Sequence, residues 1–181
     1  MLAKSKRVKV GFLLVILAAL STTYASNISI NSGKSLEFGQ GIIQFSACSQ
    51  YVNVDFNSTA PDGQGVQYLK TIKIQGIDAK KCSGTTFTIQ IYNSSKVLQK
   101  IYNDATTSLG VNFIKLSIAN TPINQATAAS LINAAGANVG NGDANESLTY
   151  DTASGAYWVT ITNPVLTEGN VGSFTVQSAS N

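Results

Sequence analysis

"GTTFTIQIYNSSKVLQKIY", Gly84 to Tyr102, decides the fold class. Phe87, Ile89 and Ile91 alternate with Thr88 and Gln90. A period of two places successive side chains on opposite faces of an extended chain, so this is a half-buried strand. Asn93-Ser94-Ser95 supplies turn residues, and Val97 to Tyr102 reads as the second arm of a hairpin.

The same alternation continues outward. Upstream, Val52, Val54 and Phe56 share a phase, with Asn53 and Asp55 opposite. A longer stripe holds Val66, Tyr68, Ile72 and Ile74. Downstream, Ile114, Leu116 and Ile118 alternate with Lys115 and Ser117. Tyr157, Val159 and Ile161 alternate with Trp158 and Thr160, and Phe174 and Val176 close the series. About ten short strands separated by Gly, Asn, Asp and Ser turns predict an all-β fold. The expected form is an antiparallel β-sandwich, jelly-roll-like.

One segment breaks the period. In "TPINQATAASLINAAG", Thr121 is a candidate N-cap, Pro122 suits a first helical position and Gly136 suits a stop. Ile123, Thr127, Leu131 and Ala134 fall on one helical face, which predicts a short helix near residues 122–135. The stretch from Asn138 to Trp158 reads as a long exposed loop entering a strand.

The N-terminus sets the compartment. Val10 to Leu20 is apolar, preceded by Lys4, Lys6, Arg7 and Lys9 and followed by Ser, Thr and Thr23-Tyr24-Ala25. A spanning helix needs about twenty apolar residues. A basic start, a short apolar run and a small-residue exit describe a secretory signal peptide cut between Ala25 and Ser26. The alternatives are a prepilin cut at Gly11-Phe12 and an uncleaved anchor. The expected organisation is a signal peptide over residues 1–25 and one β-sandwich domain over 26–181, secreted or on the cell surface, with no membrane contact after cleavage.

Removing the signal changes the charge. Four of the twelve basic residues lie in residues 1–25 and none of the nine acidic ones do. The remainder has eight Lys, no Arg and nine carboxylates, a net charge of −1. Nucleic-acid binding relies on a basic face and on Arg forks, so no nucleic-acid partner is expected. Cys48 and Cys82 are the two cysteines, and an oxidising compartment pairs them. In the chain-entropy picture such a loop stabilises by about 3.5–4 kcal/mol.

Catalytic chemistry is sparse. The chain has no His, which removes the commonest general base. No Ser sits in a G-x-S-x-G elbow. Asp55 and Asp78 are the carboxylates least explained by turns. No enzyme activity and no cofactor are expected. Asn141, Asp143, Asn145 and Asp151 space oxygen ligands as a weak Ca²⁺ loop could. Asn145-Glu146-Ser147 matches a glycosylation sequon. Lys70 falls in phase with the stripe from Val66 to Ile74, which predicts a lysine that snorkels past its apolar neighbours. The alternatives are an inward lysine that blocks edge pairing and one that forms an isopeptide with an Asn. Trp158 is out of phase with Tyr157, Val159 and Ile161, so an outward aromatic for a sugar ring competes with packing under a loop.

"LEFGQGIIQFSACSQYVNV" followed by "LKTIKIQGIDAKKCSGTTFTIQIY" resembles a group of exported bacterial, actinobacterial-type β-sandwich proteins with one disulfide. The shared features are Phe38-Gly39-Gln40-Gly41, Gln44, Ala47-Cys48, Gly76-Ile77-Asp78, Cys82 and Gly84. Ser49 stands where that group usually has an acid. The resemblance implies Gly39 and Gly41 as turn or bulge positions and a Cys48–Cys82 bridge. It implies no activity. More loosely, the layout is similar to jelly-roll matrix-fibre subunits of the TasA kind.

The expected function is that of an extracellular structural protein, a subunit of a filament, surface layer or biofilm matrix that polymerises with itself. "SNISINSGKSLEF" would be its exchangeable strand, with Ile28, Ile30 and Leu36 as the assembly residues and Gly33 as hinge; the competing reading is that residues 26–38 are simply the first strand of their own sandwich. The alternative is a secreted module that binds a glycan or another ligand.

Overall fold

The computed structural model describes the backbone of Ala25–Ser29 and Gly41–Ile43, Cys48, and residues 51–180. In chain order the described strands are β1 (Ala25–Ser29), β2 (Gly41–Ile43), β3 (Val52–Ser58), β4 (Leu69–Gln75), β5 (Thr85–Tyr92), β6 (Tyr102–Asn103) and β7 (Gly110–Val111). They continue as β8 (Ile114–Ile118), β9 (Ala129–Ile132), β10 (Asn138–Gly140), β11 (Glu146–Asp151), β12 (Ala156–Ile161) and β13 (Ser173–Ser180).

Two antiparallel sheets account for most of them. One has six strands in the order β1-β13-β5-β8-β9-β10, the other five in the order β11-β12-β4-β3-β2. β6 and β7 form a small separate hairpin. In the larger sheet β5, β8 and β9 run in sequence and β13 returns beside β5, a Greek-key order.

The alternation places the core. Val52, Val54 and Phe56 of β3, Ile72 and Ile74 of β4, and Tyr157, Val159 and Ile161 of β12 are buried. Facing them are Phe87, Ile89 and Ile91 of β5 and Phe174 and Val176 of β13. Phe56 and Phe174 meet across the two sheets, ring centroids 4.9 Å apart and edge to face. The fold is therefore the expected all-β sandwich, with the disulfide Cys48–Cys82 spanning 4.8 Å between Cα atoms.

Three expectations are corrected. No α-helix forms near residues 122–135: the only helical turn among the described residues is the 3-10 segment Glu168–Asn170. Instead Ala129–Ile132 pairs with β8, Leu116 opposite Leu131. Leu131 is fully buried and alternates with Ser130, whereas Ile123, its supposed neighbour on the helix face, is 89% exposed. An open edge on β8 outweighs the helical preference of the alanines, because propensity is a weak prior beside tertiary pairing.

Lys70 does not point inward. Asn57 pairs with Thr71 and Ser58 with Leu69, so Lys70 is the extra residue of a bulge. The bulge resets the phase, and Leu69 is buried in its place. The stretch from Asn138 to Trp158 is no long loop, since it contains β10 and the β11–β12 hairpin. The hairpin read after Tyr92 does close, with Lys96 in the left-handed region and Tyr92 bridged to Leu98. Its second arm then leaves, because the edges of β5 are taken by β13 and β8.

Candidate functional site

β1 forms the edge of the six-stranded sheet. Its residues Ala25 to Ser29 lie opposite Gln177 to Ser173 of β13, with Ile28 against Phe174. Its neighbour β13 is fully engaged on the other side, pairing with β5 along all eight residues from Ser173 to Ser180. Among the described residues, β1 is thus an edge strand paired along one side only. The expected cleavage point, Ala25–Ser26, falls at the first step of this pairing. Ile30 and Leu36 lie outside the described residues.

The weak Ca²⁺ set does not assemble. Asp143 Oδ1 accepts the backbone N–H groups of Asn145 and Glu146, at 2.8 and 3.3 Å. Asn145 is buried: its Oδ1 accepts the N–H of Ala105 at 2.7 Å, and its Nδ2 donates to Asp104 Oδ2 at 3.2 Å. Asp151 sits at the opposite end of β11 and closes the turn to β12, accepting from Ser154 Oγ and the Ala153 N–H. Among the described residues no three His, Cys, Asp or Glu side chains come together as a metal site. The engaged Asn145 amide is also closed to glycosylation in this fold.

Asn145 instead splices two loops, and the residue after it was missed by sequence reasoning. Glu146 is 1% exposed on the inward face of β11, in phase with buried Leu148. Its Oε2 has no hydrogen-bond partner. Burial, reinforced by the Asp143 charge, pushes its carboxyl up to about 8. Burial also raises the nearby Tyr102 hydroxyl, with Glu146, Asp143 and Asp104 adding to the effect. The signal was available: Glu146, Leu148 and Tyr150 share one phase. Asp104 is held low, first by the Thr107 backbone N–H, and caps the loop after β6.

Asp55 and Asp78 do not form a pair of facing acids. Asp78 is a turn residue, accepting the backbone N–H groups of Lys80 and Lys81 and lying 3.5 Å from Lys81 Nζ. Asp55 stands mid-strand on the outer face of the five-stranded sheet, opposite Lys73. Trp158 is on that same outer face, half-buried and opposite Lys73 from the other side. No described helix is long and apolar enough to cross a membrane.

Compared with protein-family models, with curated proteins and with solved structures, the chain matches none.

Proposed function

We propose that this chain is a secreted structural protein, a subunit of an extracellular filament, surface layer or biofilm matrix that polymerises by exchanging β1 between copies. The observation that carries the reading is the one-sided pairing of β1 with β13 at a sheet edge. A strand held along a single edge can leave without disturbing the sandwich. Its departure bares the row of β13 backbone groups from Ser173 to Gln177, a template for another copy's β1.

Such a contact is heterologous, because the donor strand and the acceptor edge are different surfaces. Head-to-tail repetition need not close and so extends into a filament. A net charge of −1 after residue 25 offers little repulsion between copies. The role is structural rather than catalytic, and it needs no cofactor. The disulfide suits an oxidising exterior.

The register supplies a test. Asn27 and Thr175 are cross-strand partners. Cysteines placed at both positions in protein beginning at Ser26 should crosslink between chains in the polymer, giving ladders on non-reducing gels. Deleting Ser26 to Asn31 should leave a folded monomer that no longer polymerises. Protein that stays monomeric at high concentration and crosslinks only within one chain overturns the reading.

A further inference from the structure

One row of side chains crosses three strands on the outer face of the five-stranded sheet. Trp158 of β12 stands opposite Lys73 of β4, and Lys73 opposite Asp55 of β3. Two residues along, Gln75 of β4 stands opposite Asn53 of β3. The Lys73 ammonium lies 5.4 Å from the centroid of the Trp158 ring, a contact that holds the indole in place on the sheet. Gln75 Nε2 donates to the Ser154 carbonyl at 3.1 Å, which fixes that amide as well.

Beside this row is an open depression of about 550 Å³ lined by Tyr51, Asn53, Gln75 and Gly76. Tyr51 is 57% exposed at its margin. Two acceptors on this face, Asn53 Oδ1 and Asp55 Oδ1, are shielded from solvent without a hydrogen-bond partner. Shielded acceptors of this kind are uncommon. They sit two residues apart on one strand and one face.

The chemistry selects a ligand. Asp55 and Lys73 oppose each other in sign, so the face offers no net attraction to an anion or a cation. The two shielded oxygens are closed to a ligand, but the Asn53 and Asp55 side chains are only half-buried, and their remaining polar atoms offer partners to hydroxyls. The indole asks for an apolar surface laid against it. A pyranose supplies both, hydroxyls at its rim and C–H groups on its face. From Trp158 to Asp55 is two strand spacings, about 10 Å, the reach of two linked sugars. We propose that this face binds a neutral glycan chain running across the strands, one sugar stacked on Trp158 and the next bonded to Asn53 and Asp55. The site is separate from the β1–β13 edge, so it stands or falls independently of strand exchange.

Trp158 is the single tryptophan of the chain, so tryptophan emission, excited beyond the tyrosine band, reports on this site alone. Protein beginning at Ser26 is titrated with cellohexaose and with chitohexaose. The expected result is a saturable change in emission with at least one of them. Asn53→Ala combined with Asp55→Ala should weaken binding at least tenfold while circular dichroism stays unchanged. Trp158→Phe, followed by calorimetry, should weaken it similarly. Lack of a saturable change with both oligosaccharides, or wild-type affinity in the folded Asn53/Asp55 double variant, overturns the proposal. The β1 deletion should bind the oligosaccharide that the full protein binds.

Discussion

Gln125 and Tyr157 hold each other across the end of the sandwich: Gln125 Nε2 donates to Tyr157 Oη at 3.1 Å, and Tyr157 Oη donates to the Gln125 carbonyl. The same amide accepts the Ala79 N–H at 2.9 Å through Oε1 and donates to the Ile77 carbonyl. One side chain therefore ties the segment before β9 to the loop carrying Cys82 and to the core of β12. Burial raises the Tyr157 hydroxyl to about 12, so it stays a donor at any ordinary pH.

Gln125→Ala should cost about 2–4 kcal/mol, because it leaves the Ile77 carbonyl and the Ala79 N–H without their partner. Ile123→Ser, two residues away and 89% exposed, should change stability by no more than about 0.5 kcal/mol. Urea denaturation of both variants measures this. The reverse ranking would indicate the helix that the spacing of Ile123, Thr127, Leu131 and Ala134 suggested.

Stability should fall as pH rises through the Glu146 transition. Its carboxyl is raised in the folded protein from an ordinary value of 4.5 to about 8. The folded state thus holds a proton that the unfolded chain has released. The stabilisation is complete below about pH 4.5 and is lost progressively up to about pH 8, by at most roughly 1.4 kcal/mol for each pH step of one between those two values. Glu146→Gln should remove most of this slope in denaturation curves taken from about pH 5 to about pH 9. An unchanged slope in that variant would mean that another group carries it.

Gly142 has φ +135, and a Cβ there would collide with the Glu146 carbonyl oxygen. Gly142→Ala should therefore destabilise by several kcal/mol, from strain added to the clash (about 1–3 kcal/mol for the backbone conformation alone). Gly63→Ala, where a Cβ meets nothing within 4 Å, is the control. Thermal melts of the pair suffice.

Phe56→Ala should cost about 3–5 kcal/mol, as for other buried aromatics. A double-mutant cycle with Phe174 should show a coupling of about 0.5–1.5 kcal/mol, since the rings meet edge to face across the sheets. A coupling near zero would indicate that the two sheets do not rely on this contact.

Secreted protein should begin at Ser26 and contain no free thiol, which intact mass with and without reduction reads directly. Cys48→Ser with Cys82→Ser should lower stability by up to about 4 kcal/mol. A product beginning at Phe12, or two free thiols, would contradict this.

Period-two alternation alone was enough to read the strands that carry the core: β3, β5, β8, β12 and the apolar start of β13 each announce which face is buried, because side chains on an extended chain must alternate. The bridge followed from two cysteines and the reading of residues 1–25 as an export signal. The outward position of Trp158 followed from its phase against Tyr157 and Val159. Other features depended on partners distant in sequence. Whether Ala129–Ile132 became helix or strand was decided by the open edge of β8, which outweighed the helical preference of the alanines. Lys70 turned aside because β3 and β4 pair with a bulge that no local pattern reveals. The Ca²⁺ spacing dissolved once β11 carried Asp151 to the other end of the sheet. Glu146 became a buried acid, and Asn53 and Asp55 became shielded acceptors beside an indole, only when several strands lay side by side. Burial and proximity across a sheet are properties of pairing, and pairing is settled by the sum of all competing edges rather than by any one segment.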